Sequence, residues 1–193
     1  MQIKKHRFYP SGNGRLSVNI EPAFPRSLNC LDRGSLNKVT IISGASDNLR
    51  KAKVSERQAS AARELLSSKL DITADMQIEY YDTVSTGSQI NIIAEFENSI
   101  VGVGGLVCPG KQAERVGRQT AKNFIKEYSS EACIDKYACD QILPFLALPK
   151  EESEFTASQI TEHTKTNIWV ISHFLKRDFS IYKEKSRFVV RVK

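Results

Sequence analysis

The chain has 193 residues, 40% of them hydrophobic and 26% charged, with 10 Gly, 6 Pro and a net charge of +6. These proportions suit one domain or two small ones around a buried core and exclude a fibrous or wholly disordered chain. No run of about 18 uncharged apolar residues is available to span a bilayer. Met1 to His6 passes into Phe8-Tyr9-Pro10 without the apolar stretch of a signal peptide, so the expectation is a soluble, cytoplasmic protein with no membrane partner.

In chain order, Phe8-Tyr9-Pro10-Ser11-Gly12-Asn13-Gly14 predicts a turn, and the alternation of Leu16, Val18 and Ile20 predicts a strand with one buried face. Asp32-Arg33-Gly34-Ser35 reads as a linker. Val39-Thr40-Ile41-Ile42 is β-branched and reads as a strand. Ser55-Glu56-Arg57-Gln58 has the spacing of a capping box, and Ala59, Ala62, Leu65, Leu66 and Leu70 supply the apolar face of the helix behind it. Three short strands are expected at 76–81, 90–96 and 100–107, separated by turns at Thr86-Gly87-Ser88 and Glu97-Asn98-Ser99. A helix is expected after Pro109-Gly110, with Ala113, Val116, Ala121, Phe124, Ile125 and Tyr128 on one side. Residues 38–129 therefore read β-α-β-β-β-α, a pattern able to form a layered domain of its own.

From Cys133 the pattern changes: a helix over 133–147, an extended piece at 154–158, a second helix after Thr164, and a terminal hairpin pairing 180–182 with 188–192. The fold class is α+β. The first 30 residues hold only one good strand, which cannot stand alone, and the C-terminal unit is its nearest expected neighbour.

Charge is concentrated at the two ends. Residues 1–30 carry five Lys/Arg against one acid and residues 176–193 carry seven against two, so the stretch between is slightly acidic. The ends form a phosphate-facing surface if they meet in space, and two solvated basic strands if they do not. Cys30, Cys108, Cys133 and Cys139 show no CxxC spacing and read as reduced core thiols. Cys133 and Cys139 lie six apart on the expected helix and face different sides, which suits neither a disulfide nor a zinc site.

Three histidines can be weighed singly. His6 sits among Lys4, Lys5 and Arg7 and reads as a surface residue, and His173, four residues after Trp169, as a helix residue. His163 precedes Thr164-Lys165-Thr166-Asn167, a polar stretch opening into apolar Ile168-Trp169-Val170-Ile171. A side chain there stands near a helix N-terminus, where free N–H groups favour anions and the dipole favours a neutral, nucleophilic imidazole. The residue types alone also allow an ordinary loop histidine. Tyr137, Asp140 and Gln141 are spaced by three and four, so a helix puts them on one face. Such a face can stack on a base and read ribose or base edges, or can simply be solvated. Gly12-Asn13-Gly14 and Gly102-Val103-Gly104-Gly105 lack the Lys-Ser/Thr of a P-loop, and no HExxH or GxSxG appears.

The succession of motifs is more specific than any one of them. Phe8 to Gly14, Ser55 to Gln58, Ser85-Thr86-Gly87-Ser88 and Gly110-Lys111-Gln112-Ala113-Glu114-Arg115-Val116-Gly117 come first. Asp135-Lys136-Tyr137-Ala138-Cys139-Asp140-Gln141 and His163-Thr164-Lys165-Thr166-Asn167-Ile168 complete the series. Along essentially its whole length the chain resembles the C-terminal half of an RNA 3′-terminal phosphate cyclase. Arg7 and Asn13 stand where that family has glycine.

The resemblance implies a large domain of repeated βαβαββ units with a small thioredoxin-like α/β domain inserted before the last unit. On that reading residues 1–33 and 131–193 belong to the large, catalytic domain and 34–130 to the insert. It further implies ATP-dependent conversion of an RNA 3′-phosphate to a 2′,3′-cyclic phosphate through a covalent histidine–AMP intermediate. His163 is then the nucleophile, and Tyr137, Asp140 and Gln141 are the nucleotide-facing residues. ATP, RNA 3′-phosphate ends and a divalent cation (Mg or Mn) are the implied partners, with the cation's ligands expected in an N-terminal part this sequence does not include. The chain is accordingly expected to be a fragment or one partner of a split enzyme, prone to self-association or to pairing with an N-terminal half. The alternative is a non-catalytic, cyclase-like protein of ribosome biogenesis that binds RNA.

Overall fold

A computed structural model describes residues 1–106 and 110–193. The end of the strand expected at 100–107, the Pro109 helix start and the core-thiol reading of Cys108 lie outside the described residues. The chain runs through β1 (Gln2–Lys5), β2 (Arg15–Ser17), β3 (Asn29–Cys30), β4 (Leu36–Ser46), α1 (Val54–Leu70), β5 (Asp75–Tyr81), β6 (Ser88–Phe96) and β7 (Ile100–Leu106). Then follow α2 (Ala113–Ser129), α3 (Lys136–Leu146), β8 (Ser153–Ala157), α4 (Glu162–Phe174), β9 (Phe179–Glu184) and β10 (Arg187–Val192). The class is α+β. Two compact units form, one from residues 1–21, 38–94 and 102–125, the other from 22–37, 95–101 and 126–193.

In the first unit a sheet of order β5-β4-β6-β7 has β4 and β5 parallel, from Thr40 opposite Asp75 to Ser46 opposite Tyr81. Period-two patterning decides which face of β6 is covered: Ser88, Ile90, Ile92 and Ala94 are buried, alternating with partly exposed neighbours. The two helices approach until their backbones touch. A Cβ at Gly117 of α2 would lie 2.1 Å from the Gln58 carbonyl oxygen of α1, so only glycine permits the crossing. Arg57 and Glu114 clasp the same crossing with two hydrogen bonds, at 2.6 and 3.0 Å.

The capping box expected at Ser55 does not form. The N-cap is Lys53, with a left-handed backbone, and Ser55 is a buried residue inside α1. Its hydroxyl donates to the Glu79 carbonyl oxygen at 3.2 Å, while the Gln58 amide links Ser43 and Ser88, both at 3.0 Å. Tertiary partners have taken both side chains that the local motif would have used.

The expected buried face of 16–20 is also absent. β1 and β2 form a two-stranded antiparallel ribbon, Ile3 opposite Leu16 and Lys5 opposite Arg15, and Leu16, Val18 and Ile20 are exposed. A ribbon without a second layer has nothing to bury its apolar side against. Its following turn is anchored within the unit by His6 stacked on Tyr81, with ring centres 3.7 Å apart, and by Arg7 donating to the Asp82 carbonyl oxygen.

The second unit runs β3-α3-β8-α4-β9-β10, with sheet order β3-β8-β10-β9. β3 is parallel to β8, and β10 is antiparallel to both β8 and β9. Cys139, Leu143 and Leu146 of α3 and Ile171 of α4 pack with Cys30, Cys133, Phe155, Ala157, Val190 and Val192. Fully burying side chains of this size contributes about 1.5–3 kcal/mol each. The stretch expected to be a linker is instead ordered: the Arg33 guanidinium lies 4.3 Å from the Phe96 ring and 4.7 Å from that of Tyr128, and donates to the Tyr128 carbonyl oxygen.

The helix expected from 133 begins at Lys136, because the Asp135 carboxylate caps it by accepting from the Tyr137 and Ala138 N–H groups, both at 2.9 Å. Cys133 lies outside that helix and donates its N–H to the Thr156 hydroxyl. Cys30, Cys133 and Cys139 are buried free thiols. Burial first, then the neighbouring Cys133 thiol, pushes Cys30 up to about 12, and burial pushes Cys139 up to about 11. Among the described residues no helix is long and apolar enough to cross a membrane.

Candidate nucleotide site

The face expected of Tyr137, Asp140 and Gln141 exists on α3. Its opposite side, Cys139, Leu143 and Leu146, is spent on the core, so the 3.6-residue period leaves the polar trio outward. Tyr137 is 46% exposed, Gln141 is exposed and Asp140 is half-buried.

The helix bearing His163 starts earlier than expected. Thr161, not Thr164, opens α4: its hydroxyl accepts from the Thr164 N–H at 3.1 Å and touches the buried Thr164 hydroxyl at 3.0 Å. His163 therefore sits within the first turn, exposed, where the leading N–H groups have no intrahelical acceptor. The Asn167 side chain, one turn on, donates to the Asp140 carbonyl oxygen at 2.9 Å and joins α4 to α3.

The two helix starts meet at a cavity of about 260 Å³, lined by Lys136, Tyr137, Asp140, Gln141, Gln159, Thr161 and His163. All four residues singled out from the sequence line it, together with three that were not. Lys136 holds its ammonium 4.9 Å from the Tyr137 ring centre and 3.9 Å from the Glu127 carboxylate. Gln159 and Thr161 come from the β8–α4 connection. The Thr161-x-x-Thr164 spacing was the available signal for Thr161, whereas nothing local marks Gln159. His6 and His173 lie elsewhere: His6 stacks on Tyr81, and the His173 Nδ1–H donates to the Trp169 carbonyl oxygen, 2.7 Å away.

Chemically, the cavity offers a flat ring for stacking, an amide and a carboxylate for hydroxyl and amine edges, one ammonium, and an imidazole at a helix start. Among the described residues no three His, Cys, Asp or Glu side chains gather to hold a metal ion. A larger cavity of about 360 Å³ lies in the first unit, but its guanidinium, Arg57, is already engaged by Glu114.

Comparison with known proteins agrees along the chain. Residues 1–181 match the family model described as RNA 3′-terminal phosphate cyclase. An RNA 3′-terminal phosphate cyclase of Pyrococcus abyssi is 37% identical over 182 residues, covering 94% of this chain and 52% of that protein. One from Pyrobaculum aerophilum is 33% identical over 195 residues, covering 100% of this chain and 55% of its own length. One from Thermococcus onnurineus is 35% identical, with coverages of 95% and 53%. The chain thus spans about half the length of the curated relatives it matches. It belongs to the RNA 3′-terminal phosphate cyclase family.

Proposed function

We propose that this chain carries the nucleotide pocket and the nucleophile of an ATP-dependent RNA 3′-phosphate cyclase acting in the cytoplasm. The observation that carries the reading is the shared cavity: Tyr137, Asp140, Gln141 and His163 come from two helix starts and line one space. Tyr137 stacks on the adenine, and Asp140 and Gln141 take its edges or the ribose hydroxyls. The His163 imidazole attacks the α-phosphorus of ATP; an N–P bond forms, the bond to the bridging oxygen breaks, and pyrophosphate leaves. The AMP then passes from His163 to the RNA 3′-phosphate. Attack by the neighbouring 2′-hydroxyl closes the ring, with AMP leaving.

We assign 131–193, with 1–33, to the large domain and 34–130 to the small inserted one. The β-α-β-α-β-β order of the second unit supports this for 22–33 and 131–193, whereas residues 1–21 group with 38–94 in the first unit. A divalent cation belongs to this reading, but the described residues do not supply a site for it. We place its ligands in the length of the relatives that this chain does not span. Phe145, Leu148, Trp169 and Phe174 are each more than half exposed, which supports self-association or pairing with an N-terminal half.

Incubation with α-phosphate-labelled ATP, alone and mixed with the N-terminal half of a relative, tests the reading. Label that stays on the protein and vanishes in His163→Ala is the expected result. No protein-bound label in either mixture counts for a non-catalytic RNA binder instead.

A further inference from the structure

The cavity's two walls are joined by a group that does not line it. Glu127, in the last turn of α2, is 5% exposed, and its carboxylate faces three donors. Oε2 accepts from the Lys136 N–H at 3.3 Å and from the Ser158 hydroxyl, and Oε1 lies 3.9 Å from the Lys136 ammonium. Lys136 opens α3, one residue before Tyr137; Ser158 precedes Gln159 on the connection that leads to Thr161 and His163. Backbone bonds from the Ile134 N–H to the Thr156 oxygen and from the Ser158 N–H to the Ile134 oxygen join the same segments just before they diverge. Glu127 acts where they part.

We propose that Glu127 is a positioning residue for the site: it fixes the spacing between the Tyr137–Asp140 wall and the His163 wall, and it holds the Lys136 ammonium beside the Tyr137 ring. The consequence for catalysis rests on the nucleotide reading given above. A buried carboxylate is kept only where donors satisfy it, and losing it leaves those donors without their acceptor. Tyr137, Asp140 and Gln141 share one helix, so their mutual arrangement does not depend on Glu127. The path from that helix to His163 does. Displacement between the walls therefore reaches the reaction more than the binding, and about 1 Å suffices for roughly a 100-fold change in rate.

The test compares Glu127→Ala and Glu127→Gln in the full chain. Gln keeps an acceptor oxygen for Ser158 and the Lys136 N–H, whereas Ala removes it. Side-chain NMR of His163 and Tyr137, recorded without ATP, is expected to show both rings shifted in Glu127→Ala and near their original positions in Glu127→Gln, with Val190 and Val192 methyls unmoved in both. Single-turnover self-adenylation is expected to slow about 10- to 100-fold in Glu127→Ala, with the half-saturating ATP concentration changed less than about threefold, and to recover most of its rate in Glu127→Gln. Unmoved rings in a folded Glu127→Ala protein overturn the proposal, as does an equal change in rate and half-saturation. If the unaltered chain takes no label either alone or mixed with the N-terminal half of a relative, the nucleotide reading fails separately, and the ring shifts alone decide the placement role of Glu127.

Discussion

The Asn167 amide donates to the Asp140 carbonyl oxygen across 2.9 Å, and this is a side-chain bond running directly from the histidine-bearing helix to the tyrosine-bearing one. It reaches a backbone acceptor, so the identity of the Asp140 side chain is left free for the cavity. Around it, Cys139 and Thr164 fill the space between the helices, both fully buried. Asn167→Ala should lower the unfolding free energy by about 1 kcal/mol, the net worth of one part-buried hydrogen bond. Urea denaturation reads that loss as a lower midpoint with an unchanged slope. A midpoint identical to that of the unaltered chain contradicts the assignment.

Gly117 gives a sharper expectation in the first unit. With the Gln58 carbonyl oxygen 2.1 Å from where a Cβ would be, Gly117→Ala forces α1 and α2 apart. The strain should cost about 1–3 kcal/mol, more than the small gain alanine brings to a helix interior. The same substitution at Gly110, where nothing lies within 4 Å but φ is +87°, tests backbone strain without a clash. Equal midpoints for Gly117→Ala and the unaltered protein would falsify the close crossing.

The thiols set a dependence on alkaline pH. Cys139 is held at about 11 and Cys30 at about 12 in the folded chain, above the ordinary 9. Between about pH 9 and 11 the unfolded chain releases protons that the folded chain keeps, so stability falls as pH rises through that window and is fully present below it. The slope for one such thiol is at most about 1.4 kcal/mol per pH unit. Lysines and tyrosines titrate nearby, so the informative quantity is a difference: Cys139→Ala should lose less stability between pH 8.5 and 10.5 than the unaltered chain. Parallel losses refute the contribution. At pH 8 the folded protein should leave Cys30, Cys133 and Cys139 unmodified by a thiol reagent, with peptide mapping by mass spectrometry as the readout.

How much of this was legible in the sequence depends on where each residue finds its partner. Tyr137, Asp140 and Gln141 were legible because helical spacing carries the information locally, and Cys139, Leu143 and Leu146 occupy the complementary positions. Ser55 misled for the opposite reason. Its spacing to Gln58 is that of a cap, but the Glu79 carbonyl oxygen and the Ser43 and Ser88 hydroxyls come from distant strands and claim both side chains. Leu16, Val18 and Ile20 alternate as a half-buried strand would, yet only the presence of a covering layer turns alternation into burial. Lys136 and Gln159 escaped notice because they join the cavity through loop geometry and through Glu127, neither of which has a period.

Stacking and nucleophilic attack make separable demands, which gives the last test. Tyr137 offers a half-exposed ring on the α3 wall, while His163 presents an imidazole from the start of α4. Stacking of a base on an aromatic side chain contributes about 1–3 kcal/mol to binding in the ground state. A nucleophile acts on the barrier and adds little to affinity. Tyr137→Ala should therefore weaken ATP binding about tenfold, measured by calorimetry on the full chain, whereas His163→Ala should change it by less than about threefold while abolishing protein-bound label. The lower affinity of Tyr137→Ala should extend equally to adenosine, because the ring meets the base and not the phosphates. Were His163→Ala the more damaging to affinity, the imidazole would be a binding contact, and the nucleophile would have to be sought among the other residues lining the cavity.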